Sequence, residues 1–177
     1  MKLDHIIETY LTEQEWDDIT VERNEENETS EARVTLTISN QSFRLFIEGD
    51  EKREMFFVYL YAPFKVLEGK TVDACMLFNF LNDHYIYRGK MSVMDDGSVR
   101  YVDIIDLEKL EPCTAMIDNM LNSGISLFRS HIEAIAAVAL TNKTYEAIRE
   151  EYDKKAAIKE AHNKSQENEE NGNTEEE

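Results

Sequence analysis

Leu3, Ile6, Ile7, Tyr10 and Leu11 recur at i, i+3, i+4, i+7 and i+8, which sets all five on one face of a helix over residues 2–14. After Trp16 the pattern changes to alternation, with Ile19 and Val21 on one side and Asp18, Thr20 and Glu22 on the other. That period predicts a half-buried strand over Asp17–Arg23. The stretch Asn24–Glu31 is almost wholly polar and reads as a solvated loop. Ala32, Val34, Leu36 and Ile38 then alternate with Arg33, Thr35, Thr37 and Ser39, and Asn40-Gln41 turns the chain into Phe43, Leu45 and Ile47. This predicts a tight antiparallel hairpin. Beyond a charged turn at Gly49–Glu54 comes MFFVYLYA, Met55–Ala62, closed by Pro63. Both of its faces are apolar, which suits a strand covered on each side or one that keeps a face for a partner.

Ala74, Leu77, Phe78 and Leu81 return to helical spacing within Thr71–Tyr85. Ile86–Met94 and Ser98–Leu107 are strand-like and joined at Asp95-Asp96-Gly97-Ser98, a hairpin signal because Asp and Gly tolerate positive φ. Pro112 opens a third helix whose stripe, Met116, Ile117, Met120, Leu121, Ile125, Phe128, Ile132, Ile135 and Ala139, stays in phase across Gly124. A kink at that glycine is expected, since Gly weakens a helix interior. Lys143–Ala161 carries only Tyr145, Ile148, Tyr152 and Ile158 as large apolar residues and reads as a frayed helical extension. From Asn163 onward nothing apolar offsets the entropy of ordering the chain. The prediction is an α+β domain over 1–142, a helical extension over 143–162 and a disordered acidic tail over 163–177. The element order is α-β-β-β-β-α-β-β-α with an antiparallel sheet.

Composition agrees with one folded domain: 177 residues that are 42% hydrophobic hold enough apolar surface for a core without disulfide or metal staples. Charge narrows the function classes. With 37 acidic against 19 basic residues the net charge is −18, and residues from Glu150 onward account for only −6 of it. Nucleic-acid and anionic-membrane binding, both of which rest on Lys and Arg, are not expected. No run of 18 apolar residues occurs, and Asp4 and Glu8 interrupt the start where a signal peptide is uninterrupted. The chain reads as cytoplasmic.

Candidate chemistry is sparse. Cys75 and Cys113 lack CxxC spacing and read as reduced core thiols, Cys113 being the better nucleophile candidate because it stands near a helix N-terminus. The six glycines form no phosphate-binding loop. Asp4, His5 and Glu8 share one helical turn, and His131 neighbours Glu133, yet neither group has metal-ligand spacing. Asp95 with Asp96, and Asp103 with Asp106, are the carboxylate pairs available for acid–base work, and turn propensity or solvent exposure explains each without it. No catalytic residue, cofactor or metal is expected.

The stretch LFNFLND, residues 77–83, the hairpin YRGKMSVMDDGSVRYVDIIDL and the long helix ending LFRSHIEAIAAVAL resemble the YbjN family, bacterial proteins labelled sensory transduction regulators. The resemblance covers residues 3–140, brings no catalytic motif, and implies a fold similar to type III secretion chaperones, acidic proteins that bind partly unfolded clients and dimerise. Phe46 lies on the polar side of its strand, and Phe56, Val58 and Leu60 share one face of the next. Unless helices cover both faces of the sheet, these four form the expected partner-binding surface. The function expected is non-catalytic: binding of a polypeptide, or dimerisation, through that apolar patch, with the acidic surroundings favouring a basic partner. The alternative is an acidic immunity or decoy protein that neutralises a basic toxin or nucleic-acid-binding protein.

Overall fold

The computed structural model describes the backbone of residues 2–172 and the side chains of residues 2–161. Its elements are α1 (Lys2–Glu13), β1 (Glu22–Asn24), β2 (Thr29–Ile38), β3 (Gln41–Asp50), β4 (Met55–Lys65), α2 (Thr71–His84), β5 (Lys90–Val93), β6 (Ser98–Asp106), α3 (Thr114–Leu140) and α4 (Tyr145–Gly172). The expected order therefore holds, with α4 added at its end. One six-stranded sheet carries the order β1-β2-β3-β4-β6-β5, and every neighbouring pair is antiparallel.

Local chemistry moves several boundaries. The first strand shrinks to Glu22–Asn24, because Trp16 N–H bonds the Leu11 carbonyl and Ile19 N–H the Trp16 carbonyl, so the chain is still turning as it leaves α1. Ser39 and Asn40 both take positive φ, +48° and +62°, the requirement of the two-residue turn that matches strand twist. The turn thus sits one residue earlier than Asn40-Gln41. β4 runs past Pro63 to Lys65, and its pairing with β6 shifts register between Tyr61 and Lys65, where a residue without an N–H is tolerated. β5 begins only at Lys90. Pro112 precedes the extended N-cap Cys113, so it lies before α3 and not in its first turn. The backbone from Asn163 to Gly172, expected to be disordered, continues α4, and residues 173–177 of the expected tail lie outside the described residues.

The sheet is covered on one side. Phe43, Leu45 and Ile47 of β3, Phe56, Val58 and Leu60 of β4 and Tyr101 of β6 share one face and are fully buried. Leu3 and Ile7 of α1 reach this face at Gly49, Phe128 of α3 packs on Phe43 with ring centroids 4.7 Å apart, and Asn82 of α2 bonds both backbone groups of Met91 in β5.

Gly124 does not split α3, which is one helix of 27 residues. A Cβ built there lies 2.6 Å from a Tyr101 ring carbon, so the glycine makes room for the largest side chain of β6. Gly89, at φ +69°, clears the same ring from the other side. In an ordinary helix interior Gly→Ala stabilises by about 1 kcal/mol. Here overpacking of ~1–3 kcal/mol opposes that gain. Gly124→Ala is therefore expected to lower the thermal midpoint, and pairing it with Tyr101→Leu to recover part of the loss in the same scan.

Candidate partner-binding surface

The alternation that buries one side of each strand displays the other. Across the open face, antiparallel register sets side chains in rows: Glu31, Glu48, Phe57 and Ile104; then Arg33, Phe46, Tyr59, Val102 and Lys90; then Thr35, Arg44, Tyr61, Arg100 and Ser92. Phe46, Tyr59 and Tyr61 are half-buried on this side, and Ile104 is 50% exposed. Phe57 and Tyr59 stack at 6.0 Å, and Phe46 meets Tyr61 edge-on at 5.5 Å. Three guanidinium groups lie over these rings: Arg33 over Phe46 at 5.9 Å, Arg44 over Tyr61 at 5.3 Å and Arg100 over Tyr59 at 5.5 Å. The result is a stiff aromatic and arginine surface. At its acidic row, burial together with Glu31 and Asp50 pushes the Glu48 carboxyl up from its ordinary value.

Of the four residues expected to form the partner surface, only Phe46 lies here. Phe56, Val58 and Leu60 are fully buried against the helices, on the opposite side of the sheet. The register is the reason: Gly49 pairs Phe56, Ile47 pairs Val58 and Leu45 pairs Leu60, so these three continue the apolar side of the preceding hairpin, whereas Phe46 pairs Tyr59.

The other singled-out residues are spread apart. Cys75 and Cys113 are exposed and not core thiols, since Cys75 stands on the outer side of α2 and Cys113 outside the first turn of α3. Asp4 and Glu8 both bind Arg23 and so clamp α1 to β1, while His5 points to solvent. Burial opposes ionisation of Asp4, but the Arg23 guanidinium and the His5 N–H outweigh it and hold the carboxyl below its ordinary value. Asp96 accepts from Lys65 Nζ at 2.6 Å and from Ser98, which draws its carboxyl down to about 2. Asp103 faces the helices in an ion pair with Arg88, whereas Asp106 lies on the other side of the strand, as odd spacing along a strand requires. His131 is buried and its Nδ1 shares a hydrogen bond with the Tyr152 hydroxyl at 2.7 Å, with Tyr85 and Phe80 beside them, so this histidine fastens α4 to α3. Burial, with Lys155 nearby, lowers its pKa. Among the described residues no three His, Cys, Asp or Glu side chains gather where a metal ion would be held, and no helix is long and apolar enough to cross a membrane.

Sequence reading missed Tyr59, Tyr61, Arg44 and Arg100. The available signal was the second apolar side of β4 together with Phe46, an aromatic placed among Arg44, Ser42 and Glu48.

Residues 4–137 match the model of the YbjN family, described as "Putative bacterial sensory transduction regulator". No curated protein matches the sequence. Among solved structures the chain is similar to one titled as the HopA1–SchA chaperone–effector complex, at 13% identity and TM-score 0.48 over 72% of this chain and 93% of that one. It is similar also to the ExsC–ExsE complex, at 10% identity and TM-score 0.49 over 73% and 92%. A third is the type III secretion chaperone SycH of Yersinia pestis in complex with a stable fragment of YscM2, at 12% identity and TM-score 0.45 over 70% and 93%.

Proposed function

The chain belongs to the YbjN family, and we propose that it acts without catalysis, as a regulatory or chaperone-like protein that holds a polypeptide partner against the open face of its sheet. One observation carries this reading: the helices gather on one side, leaving Phe46, Tyr59, Tyr61 and Ile104 on the other. Aromatic and arginine side chains on a rigid scaffold are the groups that dominate binding at protein interfaces, because they bury much area for little lost rotamer freedom. A sheet of 10-residue and 11-residue strands does not rearrange to hide them.

Capture from a bacterial lysate at physiological salt tests the reading. Tyr59→Glu combined with Phe46→Glu is expected to reduce the captured partner by on the order of tenfold, a change of about 1.4 kcal/mol, while the thermal midpoint stays within a few degrees. Val72→Glu, on the outer side of α2 where Val72 is 71% exposed, is expected to leave capture intact. Loss with Val72→Glu and retention with the sheet pair would overturn the proposal. Light scattering on the same samples shows whether the partner is a second copy of the chain.

A further inference from the structure

Two adjacent rows of the open face carry a charge opposite to that of the chain. In the two adjacent rows Arg33–Phe46–Tyr59–Val102–Lys90 and Thr35–Arg44–Tyr61–Arg100–Ser92 there are four cationic side chains and no carboxylate, in a protein with 37 acidic and 19 basic residues. Arg33 is neutralised by Glu22 and Glu31. Among the described residues Arg44, Arg100 and Lys90 have no carboxylate partner, and the arginines only lie over tyrosine rings.

A second observation falls at the same place. Among the described residues two buried side-chain polar atoms lack a hydrogen-bond partner, Arg100 Nε and Ser92 Oγ, and these residues are direct cross-strand neighbours in the arginine row. An unpaired buried donor costs about 1–3 kcal/mol, so native structures rarely keep one without use. Both atoms can donate.

From this placement we infer that the partner segment is acidic, a polypeptide whose carboxylates seat on Arg44 and Arg100 to either side of Tyr61. The inference rests on the open-face reading above and reverses the charge that the net −18 suggests for the partner. Arg44 and Arg100 are separated by β4 alone, about 9–10 Å at ~4.8 Å per strand. A segment in the polyproline II conformation laid across the strands, with three residues per turn at ~3.1 Å per residue, sets side chains i and i+3 on one side about 9 Å apart. Carboxylates at that spacing meet the two guanidinium groups in the paired geometry arginine favours. The neighbouring row explains why the ligand is a peptide and not a nucleic acid. Glu31, Glu48 and the apolar Phe57 and Ile104 abut the cationic rows, so a strand charged at every phosphate is repelled where a peptide presents a neutral side chain.

The test uses the full chain and three fluorescein-labelled probes read by anisotropy: a peptide of about twelve residues repeating Glu-Tyr-Ser, its Lys-Tyr-Ser counterpart, and an oligothymidylate of equal length. The expected result is tightest binding of the glutamate peptide, weakened on the order of tenfold by Arg44→Gln with Arg100→Gln at unchanged thermal midpoint. Tighter binding of the lysine peptide, or of the oligothymidylate, overturns the inference. Glutamate-peptide binding that ignores the arginine changes overturns it too. If Tyr59→Glu still abolishes whichever probe binds, only the acidic assignment has failed; if Tyr59→Glu affects none of them, the open-face reading fails with it.

Discussion

Phe56→Ser is expected to remove about 5 kcal/mol of folding stability. The ring has no solvent exposure, lies on the helix side of β4 and pairs across the strand with Gly49, against which α1 closes. Truncating a buried Phe to Ala costs ~3–5 kcal/mol, and the serine hydroxyl adds the penalty of a buried polar group with no ready partner. Against a total stability of ~5–15 kcal/mol for a domain, that leaves little or no folded protein at physiological temperature. Leu60→Ser follows the same logic at about 4 kcal/mol. Tyr59→Ser, between the two on the same strand, is expected to cost about 1 kcal/mol, because Tyr59 is half-buried on a face that no helix covers. Denaturant titration of the three variants measures the contrast. Equal losses at 56 and 59 would mean that both sides of β4 are core.

The second large effect is electrostatic. Arg88 Nε donates to the Asp103 carboxylate, which also accepts the Ile104 N–H at 2.9 Å, and the Asp103 side chain is only 5% exposed. The Arg88 carbonyl accepts from the Tyr101 hydroxyl, so the pair ties the loop before β5 to the centre of the core. Removing one partner leaves a charge desolvated without compensation, which costs ~3–5 kcal/mol for a fully buried pair. Arg88 keeps part of its side chain in water, so Arg88→Met is expected near the lower end, about 3 kcal/mol. Combining it with Asp103→Leu is expected to restore stability to within about 1 kcal/mol of the parent, since the orphaned charge leaves with its partner. A double-mutant cycle by chemical denaturation supplies both numbers. An Arg88→Met loss no larger than that of an exposed arginine would contradict the buried-pair assignment.

Why the fold was legible and the site only half so follows from the same register. The stripe on α1, the alternation of β2 and β3, the Asp-Gly turn and the long stripe of α3 are each local patterns, and each element formed where its pattern lay. What decides the binding face is which side of β4 continues the apolar side of the hairpin before it, and that depends on the pairing across the charged turn at Glu51–Glu54. Leu45 and Ile47 fall opposite Leu60 and Val58 in that pairing, so Tyr59 and Tyr61, and not Val58 or Leu60, lie on the open side. Gly124 carried a comparable ambiguity. A glycine in a helical stripe signals a kink or a close approach with equal force, and only the position of Tyr101 on another element separates the two. The exposed cysteines show the limit from the other direction, since apolar neighbours in sequence do not place a thiol on the apolar side of a helix.

The central claim is that the open face of the sheet meets the partner, and site-specific photocrosslinking in cells tests it most directly. A benzophenone amino acid replacing Tyr59 is expected to trap a polypeptide in a discrete adduct, while the same group at Val72, exposed on the helix side, traps none. A discrete adduct at 72 with none at 59 would place the partner on the helices and contradict the claim.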